Sequence, residues 1–81
     1  MEAGRWYKAF GPSSKSEEYF EVVAVEGEER VILEHIQYSP IFKRITRQER
    51  ITADYKEWLE AIASNDVFEI GSDQVPFLLA F

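Results

Sequence analysis

Cysteine is absent from this chain, and histidine and methionine each occur once. Without thiols there is neither a disulfide framework nor a thiolate metal site, so stability must come from packing. One histidine and carboxylates without ligand spacing predict no metal site and no cofactor. The four glycines form no phosphate-cradling cluster, and Ser13, Ser14 and Ser16 have no neighbouring base, so no nucleophile motif is present. No apolar run approaches the length of a bilayer span, and no basic segment leads into an apolar one as in a secretory signal. These absences together predict a cytoplasmic protein that makes no membrane contact and carries no catalytic residue.

The chain is instead rich in aromatic residues, at 15 %, and in acidic ones, with a net charge of −6 over 81 residues. That length suits a single domain, residues 1–81, in which only about 60–65 % of the unfolded surface is buried, so large rings must make the core dense. The acidic balance argues against non-specific nucleic-acid binding. One block departs from it: Lys43, Arg44, Arg47 and Arg50 stand together in an otherwise acidic sequence.

Residues 19–38 organise the rest. Two runs of apolar and β-branched residues, 20–25 and 31–36, flank Glu26, Gly27, Glu28 and Glu29, the pattern of a β-hairpin with a two- or four-residue loop. Either loop sets Ala24 against Val31, Val22 against Leu33 and Phe20 against His35 on a core face. The opposite face sets Tyr19 against Ile36 and Glu21 against Glu34, a like-charge pair that needs a cation beside it. His35, near the end of the core face, reads as a hydrogen-bonded structural histidine.

Before the hairpin, residues 5–10 favour a short strand with Trp6, Lys8 and Phe10 on one side and Tyr7 on the other. Residues 11–16 read as an exposed loop. After it, Pro40 favours a turn, and residues 42–49 form a third strand. With a loop over 37–41, Leu33 faces Ile45, Ile36 faces Phe42, and Arg44 supplies the cation opposite Glu34. The period then changes. Tyr55, Trp58, Leu59 and Ile62 form one stripe of a helix over 52–65, centred near 53–64, with Thr52 or Asp54 as its cap. Residues 67–70 suggest a short closing strand, and the apolar tail 75–81 is expected to dock on the domain or to meet a partner.

The residues Gly4, Trp6 and Tyr7, then 19–26, then Ile36, Gln37 and Tyr38, and later Trp58, resemble a family of short bacterial proteins of uncharacterised activity with small SH3-like sheets. The resemblance spans about residues 4–60. It implies a strongly bent β-meander and carries no functional residues with it. Residues and resemblance agree on an α+β fold: a curved antiparallel meander of four to five strands, partly closed like an SH3 barrel, with one packed helix.

Function is then expected to reside in a surface. The aromatic set Trp6, Tyr7, Tyr19, Tyr38 and Phe42 could line a groove for peptides or methylated side chains. The leading expectation is a protein-interaction module without catalytic activity. It would bind another protein or itself through aromatic surface or through the tail from Phe77 to Phe81. The alternative is a nucleic-acid-binding domain that uses Lys43, Arg44, Arg47 and Arg50, although alternation sends Lys43 and Arg47 to one face of a strand and Arg44 and Arg50 to the other.

Overall fold

The computed structural model describes residues 2–10 and 16–78. In chain order the elements are strands β1 (Trp6–Phe10), β2 (Glu17–Glu26), β3 (Arg30–Ser39) and β4 (Arg44–Asp54), helix α1 (Tyr55–Ala63) and strand β5 (Phe68–Ile70). Two 3-10 turns follow, Ser72–Gln74 and Pro76–Leu78. The strands form one antiparallel sheet in the order β4-β3-β2-β1-β5. The two outer strands do not pair with each other, so the sheet is open. Among the described residues no helix is long and apolar enough to cross a membrane. The loop expected over 11–16 lies, apart from Ser16, outside the described residues.

The central hairpin forms as its alternation requires over its lower half, where Val22 pairs with Leu33, Glu21 with Glu34, Phe20 with His35 and Tyr19 with Ile36. Its upper half differs. The loop has three residues, 27–29, between paired Glu26 and Arg30, with Gly27 at a φ of 60°. A loop of odd length would turn the lower pairs onto the wrong faces, and an unpaired Val23 between Val22 and Ala24 corrects this. Ala24 therefore meets Ile32, and Val25, not Ala24, meets Val31.

Both faces of the sheet are covered. On one, Tyr7, Val22, Val31 and Leu33 pack beneath Trp58 of α1, with Phe20, Ile51 and Ala53 around them. On the other, Trp6, Tyr19, Ile36 and Tyr38 pack beneath Val75, with Phe77 and Leu78 against them. The tail thus docks through residues 75–78, and Leu79, Ala80 and Phe81 fall outside the described residues. Of the expected helical stripe, Trp58 is buried and Tyr55 and Ile62 pack at its flanks, but Leu59 is 41 % exposed. The helix starts later than its period suggests because β4 runs on to Asp54, whose Oδ1 accepts from the amides of Lys56 (3.0 Å) and Glu57 (3.1 Å).

β4 departs most from expectation. Its hairpin loop is 40–43 rather than 37–41, closed by the Phe42 amide donating to Ser39 Oγ at 3.2 Å, with Lys43 in the left-handed region at a φ of 53°. The strand slides six residues along β3 from the expected register, so that Leu33 meets Ile51 and not Ile45, and Ile36 meets Gln48 and not Phe42. Glu34 takes its cation from Arg50, whose Nε donates to Glu34 Oε2 at 3.1 Å, and not from Arg44. An even shift keeps the β4 side chains from Arg47 onward on their expected faces, whereas the extra Thr46 turns Ile45 to the tail side and Arg44 to the helix side, with Arg47 and not with Arg50. The even shift is why two arginines can satisfy Glu34 equally well on paper.

Candidate functional site

The nine residues singled out by sequence do not converge on one groove. Trp6 and Tyr38 are buried under the tail, while Tyr7 is buried under the helix, its ring edge-on to Trp58 at 5.3 Å. Trp6 and Tyr7 are neighbours on a strand, so they must point to opposite faces. Tyr19 joins Trp6 and Tyr38 in the core, and Phe77 packs against all three rings at 5.4–5.9 Å. The expected aromatic groove is therefore core, and of its members only Phe42 stands in solvent.

What the fold does bring together is the end of the β3–β4 arm. Ile41, Phe42 and Ile45 are 60, 69 and 40 % exposed, three of the five large apolar side chains exposed among the described residues. Pro40 and the left-handed Lys43 force the chain to turn sharply there, which leaves Ile41 and Phe42 no sheet to lie on. The Arg44 guanidinium sits over the Phe42 ring, 5.4 Å from its centroid. Sequence reading missed Ile41 and Ile45. Ile45 was assigned to the core face, and its exposure follows from an extra residue, Thr46, between its pairing with Tyr38 and that of Arg47 with Gln37.

The four cations divide into two kinds. Arg50 is held by Glu34, and Arg47 Nη2 lies 3.3 Å from Glu49 Oε2. Lys43 and Arg44 have no carboxylate within ion-pair distance among the described residues. Of these four, the two cations without a carboxylate are thus the ones at the apolar tip.

His35 holds three strands together. Its ring stacks on Phe20 at 4.7 Å, Nε2 donates to Glu18 Oε1 at 3.1 Å on β2, and Nδ1 lies 3.7 Å from Glu49 Oε1 on β4. Gln37 Nε2 also donates to Glu18 Oε1, at 3.4 Å. The sequence placed His35 beside Phe20, but it could not show both carboxylates, because Glu49 arrives only with the observed β4 register. Among the described residues no group of histidine and carboxylate side chains is arranged to hold a metal ion.

A second polar cluster lies on the opposite face of the sheet, one residue along β2 from Glu18. Lys8 Nζ pairs with Glu17 Oε2 at 3.0 Å, and the Tyr19 hydroxyl donates to Glu17 Oε1 at 3.1 Å. Burial, and then the Glu17 charge, push the Tyr19 hydroxyl well above the ordinary tyrosine range; burial, and then Glu69, raise Tyr7. The fold holds these protons more tightly than the unfolded chain does. Their contribution is therefore complete below about pH 10, the unfolded tyrosine value, and is lost as pH rises above it. Melting temperature should fall steeply above that point. Tyr19→Phe should flatten the fall; an unchanged slope in that variant would contradict the assignment.

Compared with models of known families, with curated proteins and with solved structures, the chain matches none.

Proposed function

We propose that this chain is a small cytosolic protein-interaction module without catalytic activity. In this reading a curved, SH3-like sheet, as the family resemblance implies, serves as the platform that presents the β3–β4 arm to a partner protein. The observation that supports it is the grouping of Ile41, Phe42 and Ile45 in solvent around two unpaired cations. Isolated exposed apolar side chains are ordinary, but three within residues 41–45 of one turn, beside two cations, have the composition of a docking surface. His35, stacked and tied to carboxylates on both neighbouring strands, serves the sheet as a clamp in this reading.

The test is site-specific photo-crosslinking from residue 43 in cells. The wild-type protein should yield discrete protein adducts, and the double variant Phe42→Ser, Ile45→Thr should lose them while melting within about 0.5 kcal/mol of wild type, as exposed positions do. Adducts that persist unchanged in that variant, or a protein that stays free of adducts, would overturn the reading.

A nucleic-acid role is the alternative, and the Arg44–Phe42 stack favours it, since an exposed ring beside a guanidinium can take a base. Its signature is affinity for oligothymidine that falls with salt and drops further in Arg44→Ala. Against it, Arg47 and Arg50 are already engaged by Glu49 and Glu34.

A further inference from the structure

Resting on the interaction-module reading, we infer that the partner engages the outer edge of β4 as an added strand, and that its residues alternate between acidic and apolar. β4 is 11 residues long and pairs with β3 from Arg44 to Asp54, while its other edge has no strand beside it among the described residues. A row of main-chain donors and acceptors is thereby left to solvent along one side of the molecule.

Edges of this length are ordinarily blunted. The opposite edge shows one means, since β5 has only three residues. β4 contains no proline, and its irregularity is confined to the extra Thr46 near one end. What guards it is charge of one sign: Lys43, Arg44, Arg47 and Arg50 stand against Glu49 over residues 43–50. Such a guard repels another basic strand, including in most alignments a second β4, and admits an acidic one. It acts as a filter for the partner's charge.

The two sides of the edge differ, which gives the alternation. Arg44, paired with Ser39, Arg47, paired with Gln37, and Glu49, paired with His35, project on the helix side of the sheet, where Glu49 lies against Arg47 and Arg44 has no carboxylate within ion-pair distance among the described residues. Ile45, paired with Tyr38, and Gln48, paired with Ile36, project on the tail side. There Ile45, Ile36, Phe77 and Leu78 border a hollow of about 300 Å³. A strand laid along β4 would set every second side chain beside Arg44 and Arg47, and the intervening ones beside Ile45 and the mouth of that hollow. Carboxylates suit the first row. The second suits small apolar side chains, because Glu21 and Glu34 at the floor of the hollow disfavour further negative charge.

The probe is an acetylated, amidated octapeptide alternating glutamate with valine, titrated into the full chain and followed by amide chemical shifts. It should bind with an affinity that falls with salt, protect β4 amides from hydrogen exchange, and weaken at least tenfold in Lys43→Glu, Arg44→Glu. The same peptide N-methylated at alternate residues should lose binding at least tenfold, since it cannot complete the ladder. A lysine–valine peptide should bind the charge-reversed variant better than wild type. Equal binding of the N-methylated peptide would replace strand addition by surface charge alone. Tighter binding of oligothymidine, or dimerisation without peptide, would assign the edge to nucleic acid or to a second copy. Each of these overturns the inference. Loss of crosslinks in Phe42→Ser, Ile45→Thr with no peptide binding would overturn it while leaving the interaction module standing.

Discussion

Trp58→Ala should lower the unfolding free energy by about 3–5 kcal/mol, the range for emptying an aromatic site in a core. Trp58 is the one buried side chain that α1 contributes, and it packs edge-on to both Tyr7 and Phe20 at 5.3 and 5.5 Å. Without it the helix loses its main contact with the sheet, and a helix of nine residues does not persist in water alone. A domain this small has only a few kcal/mol in hand, so the variant should be largely unfolded at 25 °C by far-ultraviolet circular dichroism. The indole Nε1 is buried without a hydrogen-bond partner. Trp58→Phe therefore gives up some volume but also removes an unsatisfied donor, and should be far milder than Trp58→Ala. Equal losses in the two variants would mean that the indole nitrogen makes a stabilising hydrogen bond and that the buried ring does not set the stability.

Phe77→Ala should cost about 2 kcal/mol, less than a full core deletion because the ring is only half-buried. Phe77 is the lid on the second face and touches Trp6, Tyr19 and Tyr38. Its loss should expose the Trp6 indole and shift its fluorescence to longer wavelength, while Trp58 on the opposite face stays dry. Trp58→Phe makes this readable, since Trp6 is then the sole emitter. A spectrum unchanged by Phe77→Ala in that background would show that the tail does not cover the sheet.

How much of this was legible in the sequence follows from how strongly each strand alternates. In β2 and β3 apolar residues recur at every second position, and their lower register could be read directly because a slip would send Tyr19, Val22 and Leu33 to the wrong faces. The helix start was narrowed in the sequence only to Thr52 or Asp54, and the structure takes the second. β4 was not, because from Thr46 to Arg50 it is polar on both faces and no burial penalty separates one register from another. Its position is set by Ile51 and Ala53 under the helix, information that lies outside the stretch being placed. The misreading of the surface has the same source: Ile45 looked like core only while it was thought to sit opposite Leu33. The division of the aromatics between two faces was available in the adjacency of Trp6 and Tyr7. What could not be seen was that the tail would seal one set and the helix the other.

The unpaired Val23 gives β2 a residue of slack. A deletion of any one residue from Glu21 to Val23 can be absorbed by straightening the bulge, so that Tyr19 and Phe20 keep their partners and the hairpin survives. Removing Glu34 from the facing strand finds no such reserve, and it would carry Ile36 and Tyr38 over to the helix side. Tolerance to length change within the strands thus resides at their extra residues, Val23 in β2 and Thr46 in β4.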